Sequence, residues 1–307
     1  MTKPLSERVA DVLEPVAPAE RLAALRILVG TFAGVYVLAR LPGFMSPLAQ
    51  SARSFAPVGA AQLLSAPLPA WALYALVAVT IASSVGFVLG LRFRASGPLF
   101  AASLLLLTSY RNSFGMVFHT ENLFVLHVAV LAFTDAAAAW SLDARRNPEP
   151  PAPDRRYGWA IVLLSTVTVV GYLLAGVAKL RVTGASWAVG DVLRNHIAHD
   201  NLRKLLLGDG YSPIGGWLLR FPWLFPPFAA LSLAVEVLAP LALLHRRVGK
   251  LFACAAFSFH LGVLLLMWIL FPYPLSTIAF LSFFEPERGL LWLRSRVWRK
   301  APATSEA

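Results

Sequence analysis

The chain reads as an all-α, polytopic membrane helix bundle, and three observations carry that reading. Of its 307 residues 58% are hydrophobic and only 14% are charged, against about a quarter charged in a soluble domain. The charges are grouped between long apolar runs. Runs of about 20 apolar residues match a hydrocarbon core about 30 Å thick, and within lipid each run must satisfy its own backbone as a helix. Strands of a membrane barrel would instead alternate in pieces of about 10 residues.

Residues 1–20 predict a polar, partly amphipathic cytoplasmic segment. They carry both charge signs and do not form a convincing signal peptide. The first span is expected over Leu22–Leu41, ended by Pro42, Gly43 and Pro47. A loop with Arg53 leads to a second span, Ala70–Leu91, and Arg92 and Arg94 mark a short basic turn. Gly97–Tyr110 is a short third run, and His119–Trp140 a fourth. The stretch PEPPAPD after it is a stiff linker and the expected boundary between two halves. A fifth span is expected over Trp159–Lys179, with spans six and seven over Trp223–Leu244 and Leu251–Phe271. Residues 272–284 are read as an eighth crossing. The membrane domain is thus 21–285, and 286–307 form a basic cytoplasmic tail.

About eight crossings with a cytoplasmic N-terminus place 17 of the 27 Lys and Arg on one side and 7 on the other. That bias predicts an N-in, C-in protein of the cell inner or plasma membrane. It also accounts for the net charge of +11 through loop retention and contact with the lipid bilayer, without nucleic acid as a partner. The long extracytoplasmic loop 181–222 breaks the pattern with five basic residues, together with Trp187, His196, His199, Asp200 and Trp217. It reads either as an interfacial helix over Trp187–Leu207 or as a substrate-facing lid. The single cysteine, Cys254, excludes any mechanism that needs a resident dithiol.

Ionisable groups within spans are costly and mark candidate sites. Arg26, His119, His127, Lys179, Glu236 and His260 are such positions. Tyr172, Gly176 and Lys179 fall at i, i+4 and i+7 and share a helix face. Gly171 and Ala175 form a small-xxx-small pair that permits close helix approach. Lys179 then reads either as a general base in a poorly hydrated site or as a lysine that snorkels to the headgroups. His119, Glu121 and Asn122 open the fourth run, as reactive groups or as ordinary helix-capping residues. In the eight-span topology they share an outer depth with Lys179. Glu236 and His260 lie near the middle of spans six and seven, and a carboxylate there needs a partner: His260, His127 or Arg26. No C-x-x-C-H or H-E-x-x-H motif occurs, and no metal site is assigned, although histidines on facing spans keep a haem-linked electron-transfer reading open.

Four stretches together resemble a known family. They are RLAALRILVG at 21–30, HTENLFVL at 119–126, YLLAGVAKL running into RVTGASWAVGDVL, and SFHLGVLLLMWILF around His260. This series resembles the HTTM (horizontally transferred transmembrane) domain family, which includes vitamin K-dependent γ-carboxylase, over roughly residues 17–295. The resemblance implies a bundle of eight or nine membrane helices. It also implies an enzyme, carboxylase-like or a quinone-dependent oxidoreductase, using a reduced quinone of the vitamin K or menaquinol type. Lys179 takes the place of the lysine that deprotonates the hydroquinone. His119 and Asn122 are counterparts of catalytic residues, though their spacing departs from the carboxylase. Tyr172, Trp187, His199 and His260 are implied to line the quinone site, with Arg26 and Glu236 as further intramembrane polar groups. The carboxylase carries a large extracytoplasmic domain after its helices, where this sequence has only 286–307, so carboxylation of proteins is not implied. Other members imply a different role, a non-catalytic partner in maturation or export of a secreted peptide or protein.

Overall fold

A computed structural model describes residues 5–146, 149 and 151–298. The first four residues, the end of the basic tail and part of the proline-rich stretch lie outside them. The described residues are all-helical, joined by turns and one isolated backbone bridge, Ala17 with Asp154. The chain divides into two units, Met1–Leu164 with Phe284–Ala307, and Ser165–Phe283. The division falls inside a helix rather than at the proline-rich stretch.

The first unit contains α1 (Leu5–Leu13), α2 (Ala19–Ala39), α3 (Leu41–Met45), α4 (Ala70–Leu89), α5 (Phe93–Asn112) and α6 (Asn122–Ala132). It also holds the first part of α7 (Arg155–Thr183), and the terminal helix Pro286–Trp298 packs on α2. Helices α2, α4, α5 and α6 pack on one another as its core. Lipid removes the hydrophobic drive between membrane helices, so close contact rests on small residues. Gly30 lies against the Phe87 ring, and Gly34, one turn on, against Ser84. Phe87 then packs in tilted contact with Phe93 and Phe100, with ring centroids 5.3 Å apart in each case. Hydroxyls within α4 and α5 bond back to their own helix, as Thr80 to Leu76 O at 2.8 Å and Thr108 to Leu104 O at 2.9 Å, which satisfies them inside a membrane helix.

Gly90 ends α4 in the left-handed region at φ 59°. Its neighbour Leu91 returns a bond to Gly86 O at 2.9 Å, the Schellman arrangement. The segment after α6 laces this turn. Leu142 N bonds Leu89 O, Asp143 N bonds Gly90 O, and the Asp143 carboxylate accepts from Arg92 N and Phe93 N at the start of α5. The fourth run is therefore not one helix. It is a 3-10 turn at His119–Glu121, then α6, then turns from Phe133 onward. Trp140, at φ 47°, and the lacing segment replace its last turns.

The second unit contains the rest of α7, α8 (Ser186–Val189), α9 (Val192–Leu206), α10 (Pro213–Leu218), α11 (Phe225–Val237), α12 (Arg246–Met267) and α13 (Pro272–Leu275). The single interfacial helix expected over Trp187–Leu207 is two helices, broken at Gly190, whose φ −105° and ψ −173° are extended. Among the described residues, α2, α4, α7 and α12 are long and apolar enough to cross a bilayer. The Pro222–Val237 segment is apolar but shorter.

Candidate functional site

The second unit gathers the polar groups of α7, α11 and α12. On α7, Tyr172, Gly176 and Lys179 share one face, as their spacing predicts, and α11 packs against it. Gly176 makes that approach: a β-carbon there would stand 2.9 Å from Glu236 Cβ and 3.2 Å from Val237 N. Gly171, by contrast, has open space where its side chain would be, and Ala175 is exposed. The tight contact is therefore one helical face away from the small-xxx-small pair. It follows the Tyr172–Gly176–Lys179 face, of which Tyr172 and Gly176 are buried.

One turn beyond Gly176, the Lys179 ammonium donates to both oxygens of Glu236, at 2.6 and 2.7 Å. Glu236 is 3% exposed and Lys179 20%. The carboxylate that needed a partner thus takes Lys179, not His260, His127 or Arg26. Removing two ions from water costs several kcal/mol per ion, offset when the carboxylate is fully engaged, as here. Gly184 ends the α7 segment at φ 59°, and the short α8 packs on α11. This brings the buried Trp187 over Lys179, whose nitrogen lies 4.7 Å from the ring centre. Phe259 of α12 presents a second ring at 5.4 Å.

Lys179 and Trp187 line a cavity of about 640 Å³ between α9, α11 and α12. Its walls are apolar, Phe228, Leu231 and Val235 on α11 facing Ala255, Gly262 and Leu266 on α12. The other polar side chains on them are Ser232, Ser258 and His196. His196 is thus in the lining, whereas His199, the expected quinone neighbour, is exposed on α9 and is not part of it. The His196 ring packs tilted against Trp187, with ring centroids 5.7 Å apart.

Tyr172 and His260 form a buried pair behind this site. The Tyr172 hydroxyl and His260 Nε2 are 2.8 Å apart, packed among Phe252, Phe271 and Phe280. Neither residue lines the cavity.

His119, Asn122 and Arg26 belong to the first unit. His119 and Asn122 are exposed, at the 3-10 turn and at the start of α6. The buried member of HTEN is Glu121, which accepts from Tyr36 at 3.0 Å and from Arg111 through the same oxygen. Sequence spacing missed this triad because Tyr36 and Arg111 sit at the ends of α2 and α5, outside HTEN itself, and the turn between α5 and α6 is what folds Arg111 back onto Glu121. Arg26 is fully buried and donates to the Trp140 carbonyl at 2.6 Å. His127 bonds the Leu164 backbone. Among the described residues no group of three or more His, Cys, Asp or Glu is placed to hold a metal ion.

A family model described as the HTTM domain matches residues 14–287. No curated protein and no solved structure matches the chain.

Proposed function

The chain belongs to the HTTM domain family, and from that premise we propose that it is a membrane enzyme that draws a proton from a lipid-soluble quinol held beside Lys179. One observation carries the reading. A lysine held bidentate by a buried carboxylate lines an apolar cavity of about 640 Å³, within the range of about 300–1,000 Å³ typical of small-molecule sites.

The lining suits such a molecule. Its apolar helix faces match a hydrocarbon tail, Trp187 offers a ring face, and the charge of Lys179 is already balanced by Glu236. When bound, a quinol supplies an ionisable ring hydroxyl and a pair of electrons. A lysine already protonated in an ion pair is not itself a free base. The pair as a whole is the acceptor: Lys179 passes one of its protons to Glu236 across the 2.6 Å contact and takes the quinol's proton at Nζ, so that it keeps its charge. That charge stays at the cavity wall, where a developing anion is stabilised in a water-poor setting.

We keep eight crossings and N-in, C-in topology in this reading, with α5, α6, α11 and the 272–284 segment joining the four long helices. Lys179 then lies toward the extracytoplasmic side.

Lipid extraction of the purified protein, followed by mass spectrometry, tests the proposal. A quinone near one per chain is expected, and a Gly262→Phe variant, which fills the groove, loses it. A protein that carries no quinone and fails to bind added menaquinol overturns the reading.

A further inference from the structure

We propose that His196 is the residue through which the Lys179–Glu236 pair exchanges its proton with water. The inference rests on the proton-accepting role just given to the pair, and adds a route that this role requires. A pair that takes up a proton at each turnover must release it, and both members are poorly exposed, at 20% and 3%.

The cavity offers one way out. Apart from Lys179, His196 is the titratable side chain among its lining residues, and it is exposed where Lys179 and Glu236 are not. An imidazole ring can donate at one nitrogen and accept at the other, which suits a carrier working in both directions. The two groups line one cavity, so a water admitted between them would connect them without movement of a helix. Trp187 contacts both, with Lys179 over its ring at 4.7 Å and the His196 ring tilted against it at 5.7 Å.

The charges around His196 do not compete for this role. Helices α8 and α10, which pack on α9, have no titratable residue, and α11 contributes only Glu236. On α12, Cys254 and His260 are not in the cavity lining, and Arg246, Arg247 and Lys250 lie at its opening turns. On α9 itself, Asp200 is engaged by Arg203 and Lys204, and Arg194 by the Leu219 carbonyl. His199, one turn on, is exposed.

The release step balances as one proton and no electron. Lys179 gives a proton through water to the His196 ring nitrogen and receives one from the Glu236 carboxylic acid across the 2.6 Å contact. His196 then passes its proton to solvent. The pair returns to ammonium and carboxylate.

Exchange of the Lys179 ammonium protons with water, followed by NMR of ¹⁵N-lysine protein in detergent, tests this without any substrate. The signal is assigned by its absence in Lys179→Arg. In His196→Ala and in His196→Gln, exchange is expected to slow by at least about a hundredfold, the low end of what a positioned acid or base contributes. Added imidazole is expected to restore the rate. Exchange that is unchanged in both variants, or slowed but not restored by imidazole, overturns the proposal. A protein that binds no quinol yet shows the imidazole-restored exchange loses the substrate assignment and keeps the relay. The reverse result removes the relay alone.

Discussion

Gly176 lies against the β-carbon of Glu236, and this contact sets the reach of the Lys179 ion pair. A β-carbon on Gly176 would meet Glu236 Cβ at 2.9 Å and backbone N of Val237 at 3.2 Å. The second of these is main chain and cannot swing aside, so α11 would have to move as a unit. Overpacking of this kind costs about 1–3 kcal/mol. Gly176→Ala is therefore expected to lower the thermal midpoint in detergent, and Gly176→Val to lower it further. Gly171→Ala, where the side chain meets open space, is expected to leave the midpoint unchanged. Equal loss in all three would show that α7 packing does not govern the approach.

The ion pair has its own signature. Removing one partner strands the other charge in a poorly hydrated site, at a cost of about 3–5 kcal/mol. Glu236→Gln and Lys179→Met are each expected to be strongly destabilising. The double variant Lys179→Met/Glu236→Gln, which strands no charge, is expected to be more stable than either. A double-mutant cycle on reversible unfolding in bicelles measures this, and purely additive losses would argue that the pair is not coupled.

Much of the second unit was legible from residue spacing, and its limits are physical. Tyr172, Gly176 and Lys179 share a face because helix periodicity is a local property. Which residue answers Glu236 depends on α7 meeting α11, separated by loops whose path no local rule fixes. The basic residues of 181–222 were read as an anomaly of topology. In the structure several are caps: Lys204 donates to the Met267 carbonyl at 2.5 Å and Arg194 to Leu219 O. Carbonyls at the end of a helix need donors wherever water is scarce, so those charges report capping rather than sidedness. HTEN was read through His119 and Asn122, yet the buried residue is Glu121. The partners Tyr36 and Arg111 come from the ends of α2 and α5, and no spacing within 119–122 announces them.

The turn after α4 supplies a test in the first unit. Gly90 holds φ 59°, a conformation that a β-carbon disfavours by roughly 1–2 kcal/mol. An added methyl there would also overlap the guanidinium of Arg26 and lie 2.4 Å from Ser141 Cβ. Gly90→Ala is expected to reduce the yield of folded, monodisperse protein by gel filtration. Arg26→Met removes one of these clashes, so the double variant is expected to recover part of the loss. No recovery would show that Ser141 and the backbone angle, rather than Arg26, set the requirement for glycine.

The end of α12 gives the last test, because three donors from the α9–α10 segment converge on it. Asn201 Nδ2 donates to Leu266 O at 2.9 Å, Lys204 to Met267 O, and the Ser212 hydroxyl to Leu265 O. Asn201 also accepts from Ser212 N at 2.7 Å, so one amide ties the loop to the helix end. Replacing it with leucine keeps the volume and leaves a buried donor and acceptor unmet, at about 1–3 kcal/mol for each stranded group. The same substitution unpins the C-terminal half of α9, whose N-terminal half supplies Leu193, His196 and Ile197 to the cavity wall. Asn201→Leu is therefore expected to speed hydrogen exchange of the Ser212 amide and of the last turn of α12. It is also expected to raise labelling of a cysteine placed at Ser258, measured in a Cys254→Ser background. Faster exchange at α12 without a change in labelling would confine the clamp to capping and separate it from closure of the cavity.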